Sequence, residues 1–191
     1  MSSSFSDKLN CSFYNKIGAC RHGDRCSRKH LKPSHSSTIV CLNLYSNPGL
    51  NPTNTLSDKE MALHFNNFIQ DIFIECVLLD CQIIDLVVCE NSNDHLNGNI
   101  FIKFLNDSMA LKIKNNFNSR WYNYKPIYCE LSPVKYFKDS CCRQHELNNC
   151  SRGGLCNFMH SKKIDPELLN DLMLSQKKYF IQKKISNSDK L

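Results

Sequence analysis

Long apolar runs are missing from this chain. None of its 191 residues form a stretch approaching the ~18–20 apolar positions that a membrane-spanning helix needs. The opening MSSSFSDKLN lacks the apolar core of a secretory leader, which predicts a chain kept in a reducing compartment. No Ser/His/Asp set and no paired carboxylates stand out, so no array for nucleophilic or acid–base catalysis is evident. Trp occurs once. These absences argue against a membrane protein, a disulfide-stapled secreted domain and an enzyme, and no small-molecule substrate is expected.

Cysteine, by contrast, is abundant, with 12 in the chain. Six of them fall into a pattern that occurs twice. Cys11, Cys20, Cys26 and His30 read C-x8-C-x5-C-x3-H, and Cys142, Cys150, Cys156 and His160 read C-x7-C-x5-C-x3-H. Three thiolates and one imidazole make a closed tetrahedral set suited to structural zinc, so two ions are expected. Four protein ligands leave no open position for a reacting water, which also argues against a metalloenzyme. The flanks CRHGDRCSRKH and CSRGGLCNFMH both place Arg and Gly in the five-residue spacer. Cys141 would restore the eight-residue spacing of the first copy. Cys142 fits the flank better, because Cys142-x-x-His145 parallels Cys11-x-x-Tyr14. Cys41, Cys76, Cys81, Cys89 and Cys129 sit in or beside apolar runs and read as buried thiols.

The net charge of +6 is unevenly spread. Residues 1–38 hold seven Lys/Arg against two Asp/Glu, residues 39–138 eight against ten, and residues 139–191 nine against six. Both ends are basic and the middle is slightly acidic. Basic ends suit a polyanion, although a modest excess is equally the mark of a solvated surface.

Between the two zinc patterns the periodicity predicts a β-α-β-β-α-β order. Thr38–Tyr45 reads as a buried strand, followed by a Pro/Asn/Gly loop over residues 46–56. Ser57 and Glu60 have capping-box spacing, and Met61, His64, Phe65, Phe68 and Ile72 follow at helical steps to about Cys76. Strands are expected over Ile83–Cys89, Asn99–Phe104 and Pro126–Leu131, with a polar turn over Glu90–Leu96, a helix over Asn106–Phe117 and a loop over Ser119–Tyr124. This order is the ferredoxin-like arrangement of RNA-recognition motifs, an α+β fold. Asp165-Pro166 opens a last helix with Leu168, Leu169, Leu172, Met173 and Tyr179 apolar, and KKISNSDKL reads as a loose basic end. The organisation is therefore a first zinc finger within residues 1–37, its first ten Ser-rich and frayed or weakly helical, then a central domain over 38–138. A second zinc finger follows over 139–163, and a helix with a basic tail over 164–191.

Modules as small as these fingers take their folding energy from the metal. The first offers Phe13, Arg21, Arg25, Ser27 and Arg28, the second Arg143, Gln144, Arg152 and Phe158. Aromatic faces stack unpaired bases and Arg pairs phosphates or base edges, so these are candidate contacts to single-stranded RNA. Tyr14 reads instead as a cover for the zinc site. RNA-reading sheets carry aromatics on their two central strands. Here Val40 and Asn99 occupy two such positions and only Phe101 remains, which makes the sheet a poor RNA binder. Arg120-Trp121-Tyr122, in a polar loop, has the composition of an interface hot spot, although Trp121 could equally fold back onto the core. Asp71 and Glu75, with Asp80 just beyond, would attract a basic peptide, or simply form a solvated helix face.

Three stretches, NCSFYNKIGACRHGDRCSRKH, DHLNGNIFIKF and ELSPV through CCRQHELNNCSRGGLCNFMH, carry a resemblance to a known family. The chain resembles the small subunits of the U2 snRNP auxiliary factor, pre-mRNA splicing factors, over about residues 7–175. The resemblance implies that the two fingers bind the AG dinucleotide of the 3′ splice site. It also implies nuclear location and a U2AF-homology motif that binds a Trp-containing peptide of the large subunit. The family's Arg-x-Phe signature corresponds to Arg120-Trp121-Tyr122, Trp121 to the residue that inserts among the partner's prolines, and Ser27 and Gln144 to positions that tune the bases preferred beside AG. The long Arg/Ser or Gly-rich tail of many relatives has almost no counterpart here, so recruitment through such a tail is not expected. On the residues alone, a protein-interaction adaptor whose fingers contact protein stands as the other reading.

Overall fold

The computed structural model describes residues 9–188. The frayed start expected for residues 1–8, and the last three residues of the expected loose tail, lie outside them. In chain order the elements are α1 (Ser12–Ile17), β1 (Thr38–Leu42), α2 (Asp58–Leu78), β2 (Ile83–Val88), β3 (Ile100–Phe104), α3 (Asp107–Phe117), β4 (Trp121–Tyr122), β5 (Lys125–Pro126), β6 (Tyr128–Leu131), α4 (Phe137–Ser140), α5 (Arg143–Glu146) and α6 (Pro166–Ser188). No helix among the described residues is long and apolar enough to cross a membrane.

The central sheet has the order β2-β3-β1-β6, antiparallel throughout. Strand residues alternate between faces. Ile39, Cys41, Ile100, Ile102 and Phe104 turn toward α2 and α3 and bury with Phe65, Phe68, Ile69, Ile72 and Phe73. Helix α2 starts where the sequence places it. The Ser57 hydroxyl accepts from the Glu60 N–H at 3.4 Å and the Glu60 carboxylate accepts from the Ser57 N–H at 2.8 Å. It runs to Leu78, two residues past the expected end, and His64 is exposed rather than on the buried stripe.

Two expectations change. The predicted loop over Ser119–Tyr124 contains a hairpin. Strands β4 and β5 pair, and Asn123 (φ 46°) and Tyr124 (φ 63°) form a two-residue turn with both central residues left-handed. The last sheet strand accordingly starts at Tyr128. The predicted loose end is helical to Ser188, because α6 packs on the central core through Leu168, Leu169, Leu172, Met173, Tyr179 and Phe180.

The other face of the sheet is covered by the fingers. Val40, Val87 and Phe101 bury in one cluster with Ile17 and Ala19 of the first finger, Met159 of the second, and Val134 and Phe137 of the connector between β6 and the second finger. Phe101 is fully buried and meets Phe137 edge to face at 6.4 Å. Gly18, at φ 75°, lies so close that an added Cβ would sit 2.7 Å from the Phe101 ring. Only glycine fits there. Asn99 is buried as well. Its side-chain oxygen accepts from the Asn43 N–H at 2.9 Å, and its amide nitrogen donates to the His95 carbonyl at 3.0 Å. The position that carries a stacking ring in an RNA-reading sheet here locks the chain where it leaves β1.

Strand β2 is a sheet edge, and both its ends are sealed. At one end the Gln176 carboxamide of α6 accepts from the Ile83 N–H at 2.7 Å and donates to the Ile83 carbonyl at 2.9 Å. At the other, the Lys162 N–H donates to the Val88 carbonyl and the Glu90 N–H to the His160 carbonyl, each at 2.8 Å. The residues just after β2 then hold the second finger. Asn91, fully buried, donates to the Cys156 and Phe158 carbonyls at 3.0 Å and accepts from the His160 N–H at 2.8 Å. Asn93 donates to the Cys156 carbonyl at 2.8 Å. The expected polar turn is thus a clamp on a zinc knot.

Unpairing buried backbone groups costs about 1–3 kcal/mol each. Gln176→Ala should therefore lower stability by about 2 kcal/mol in urea unfolding of the zinc-loaded chain; an unchanged midpoint would show that α6 does not seal the edge. Asn91→Ala should loosen one knot only. Transfer of zinc to a chromogenic chelator is expected to split into one accelerated and one unchanged phase, and two unchanged phases would count against the clamp.

Candidate zinc centres and nucleic-acid interface

Each finger folds its four candidate ligands into one cluster. In both sets the thiol sulfurs and an imidazole nitrogen all lie within 4.8 Å of one another, and these are Cys11, Cys20, Cys26, His30 and Cys142, Cys150, Cys156, His160. The Cys20 and Cys26 sulfurs are 3.9 Å apart, and Cys142 lies 3.8 Å from both Cys150 and Cys156. A tetrahedral ion with Zn–S bonds of ~2.3 Å sets its sulfurs ~3.8 Å apart, whereas a disulfide requires ~2.05 Å. The Nε2 atoms of His30 and His160 are buried without a hydrogen-bond partner. Burial, with the neighbouring His145 and Arg152, pushes the His160 imidazole down to about 4, keeping it in the neutral form a metal ligand needs. The donor sets therefore fit zinc, and the chain carries two structural Cys3His sites.

An aromatic ring backs each histidine ligand. Tyr14 stacks on His30 at 4.5 Å and 6°, and His145 stacks on His160 at 4.0 Å and 8°. Both lie three residues after the first cysteine, so Cys142 takes the place of Cys11. Cys141 is instead buried against the sheet with Met159 and Phe137. The Glu90 carboxylate lies 2.9 Å from His145 Nε2 and 3.7 Å from the Lys162 ammonium, so a residue of the central domain sits against the backing ring.

The fingers meet at their aromatic residues. Phe13 of the first and Phe158 of the second approach edge to face, with centroids 6.2 Å apart. Lys16 stands 5.5 Å over the Phe158 ring. On the Phe158 side is a cleft of about 400 Å³ lined by Lys16, Lys138, Arg143, Gln144 and Arg152, with Asp139 as its one acid. On the Phe13 side is a smaller one of about 120 Å³ lined by Arg21, His22, His95 and Asn157. Sequence-selected Arg21, Arg143, Gln144 and Arg152 are thus gathered around one aromatic pair. Arg25, Ser27 and Arg28 are exposed on the first finger and line neither cleft. Lys16, His95 and Asn157 escaped the sequence reading. His95 comes from the loop after β2, and no local spacing signals its approach to the fingers.

On the opposite, helical side, Asp71, Glu75, Arg120 and Tyr122 line a groove of about 520 Å³ together with Ile74 and Leu78. Arg120 pairs with Glu75, and its guanidinium lies 5.1 Å over Phe117. Burial raises the Glu75 carboxyl; Arg120 pulls the other way and Asp71 adds to the rise. The Tyr122 hydroxyl donates to Asp71 at 3.1 Å, and burial with this bond pushes its pKa up to about 12. Trp121 projects into solvent with 66% of its surface exposed, so it does not fold back on the core. Asp80 is not a free member of this acidic face, because Lys183 and Tyr179 of α6 engage it. Ile74 and Leu78 were overlooked, although Asp71, Ile74, Glu75 and Leu78 share one helical face by spacing.

Residues 6–32 match the zinc-finger family described as "C-x8-C-x5-C-x3-H type (and similar)". The chain is 50% identical over 190 residues to "Splicing factor U2AF 23 kDa subunit" of Schizosaccharomyces pombe, covering 96% of this chain and 88% of that one. It is 51% identical to "Splicing factor U2af 38 kDa subunit" of Drosophila melanogaster, over 85% of this chain and 64% of the relative. It is 46% identical to "Splicing factor U2AF 26 kDa subunit" of Homo sapiens, over 87% and 78%. With two Cys3His sites set around a four-stranded sheet of this order, the chain belongs to the small-subunit family of the U2AF splicing factors.

Proposed function

We propose that the two fingers together bind single-stranded pre-mRNA at the AG of the 3′ splice site. The observation that carries this reading is the Phe13–Phe158 pair with a basic cleft on either side. Two clefts, each walled by a ring, suit two neighbouring unstacked bases. Arg21, Arg143 and Arg152 supply charge for the backbone, and Gln144 and Asn157 supply the paired donors and acceptors that read base edges. Arg25, Ser27 and Arg28 extend the exposed polar surface of the first finger and contact the flanking nucleotides. The sheet takes no part, since Phe101 is buried and Asn99 is engaged.

The helical side serves the partner. Its groove accepts a Trp-containing peptide of the large subunit, the indole seated against Arg120, Tyr122 and the α2 residues Ile74 and Leu78, with Asp71 and Glu75 drawing basic residues of the peptide. Trp121 inserts reciprocally into the partner. The chain is then the non-catalytic RNA-reading subunit of a nuclear heterodimer that helps recruit U2 snRNP.

Phe158→Ala and Arg28→Ala should each weaken binding to an AG-containing RNA at fixed salt, measured against a CG control, while the heterodimer stays intact. Base–aromatic stacking is worth about 1–3 kcal/mol, so Phe158→Ala is expected to cost about tenfold or more. Unchanged affinity in both variants, or equal binding of AG and CG RNA by the unmodified protein, would favour fingers that contact protein. Trp121→Ala should do the converse, weakening titration of the large-subunit peptide by about 2–4 kcal/mol with RNA discrimination retained. Full-strength peptide binding by that variant would overturn the groove assignment.

A further inference from the structure

We propose that the cleft beside the connector between β6 and α4 is a further nucleotide-binding subsite, with Tyr136 as its stacking platform. The cleft has a volume of about 430 Å³ and is lined by His35, Lys103, Asp107, Lys135 and Tyr136 among others. Tyr136 is 66% exposed although its neighbour Phe137 is buried in the apolar cluster beneath the fingers. The connector thus holds this ring at the surface on a rigid anchor. Lys103 stands 5.1 Å over the ring, and its ammonium donates to the Lys135 carbonyl at 2.8 Å. The tyrosine ring is therefore backed by a cation while two thirds of the residue stays exposed. Asp107 is the acid at this cleft, and it lies in the first turn of α3, where a carboxylate offsets the helix dipole.

What selects a nucleotide as the occupant is continuity. Helix α4 is a single turn, and Lys138 on it lines the larger cleft between the fingers. Tyr136 immediately precedes the same turn, which spans about 5–6 Å. A strand leaving the finger cleft past Lys138 reaches Tyr136 next, with Lys135, Lys103 and His35 placed to meet its phosphates. An exposed aromatic ring combined with clustered lysines is the chemistry of single-strand tracking, where stacking tolerates any base and the charge follows the backbone. The subsite thus adds affinity for nucleotides outside AG without demanding their identity.

This proposal rests on the RNA reading above, and the test separates the two. The zinc-loaded full chain is titrated at fixed salt with an AG-centred hexamer and with dodecamers that extend it by uridines on the 5′ or the 3′ side. Unmodified protein should bind one of the extended RNAs at least about fivefold more tightly than the hexamer. Tyr136→Ala should abolish that gain and leave the hexamer within about twofold, Tyr136→Phe should keep it, and Lys135→Glu should reduce it and flatten the salt dependence. Equal affinity of the unmodified protein for all three RNAs overturns the subsite. So does a Tyr136→Ala loss that falls equally on hexamer and dodecamer, or displacement of the extension by polyglutamate at equal ionic strength, which marks an acidic-peptide site. Failure of the hexamer to discriminate AG from CG instead overturns the AG reading, while the gain on extension still reports on Tyr136.

Discussion

Burial of the sheet's outer face beneath the two zinc knots is the contact on which the rest of the structure depends. Phe101 sits at its centre, fully enclosed, with the backbone of Gly18 against one part of its ring and Phe137 at another. Fingers of about twenty residues have almost no core of their own, and metal binding supplies their local folding energy. Orientation has to come from elsewhere. Here it comes from apolar residues that each finger contributes to the shared cluster, Ile17 and Ala19 from one side and Met159 from the other. The Ser140 hydroxyl adds a polar tie, donating to the Lys16 carbonyl at 2.6 Å. Two knots more than a hundred residues apart in sequence therefore present Phe13 and Phe158 to each other as a fixed pair.

The same contact covers the face that an RNA-recognition fold ordinarily offers to bases. An open sheet of this type offers its central aromatics to bases. Once the fingers cover that surface, an exposed ring at residue 40 or 99 would have no ligand and would crowd the interface. Valine at 40 and asparagine at 99 are the residues a buried, partly polar seam requires. Asn99 pairs with two backbone groups at the edge of this seam, and Asn91 satisfies buried backbone groups of the second finger. Loss of stacking residues and gain of finger contacts are one change seen from two sides.

Legibility in the sequence divides along the same line. Features fixed by local chemistry were readable: the ligand spacings, the Ser57–Glu60 box, the alternation of β3, and the equivalence of Tyr14 and His145. Contacts between distant segments were not. Asn91 and Asn93 look like any polar turn, because their partners at Cys156, Phe158 and His160 lie more than sixty residues away. Gln176 reads as a solvated helix residue until Ile83 is found against it. Asp80 reads as part of an acidic face until α6 arrives with Lys183. The basic end looks loose for a similar reason, since its helix is held by a sheet edge that local periodicity cannot see. In the candidate site, residues carried by the fingers were visible by type and spacing, while His95, brought in from the loop after β2, had no local signal.

The sheet also keeps the two proposed binding surfaces apart. Alternation sends Phe101 toward the fingers and its neighbours Ile100 and Ile102 toward the helices. Helix α2 then divides again, with Phe68, Ile69 and Ile72 inward and Asp71, Ile74, Glu75 and Leu78 on the groove. Between a ligand at the Phe13–Phe158 pair and one at Arg120 lie a finger, a sheet and a helix, all packed. Such layers transmit little unless an element has two discrete arrangements, and substitutions at well-separated sites without shared partners generally add. The surfaces share no charged side chain: Arg120 pairs with Glu75, whereas Glu90 engages His145 and Lys162. The loop after β2, where Glu90, Asn91 and His95 join the sheet edge to the second finger and the smaller cleft, is one physical link between the central domain and the fingers, and α6, which leaves the second finger and packs on the core, is another. That loop belongs to the sheet by sequence and to the second finger by contact.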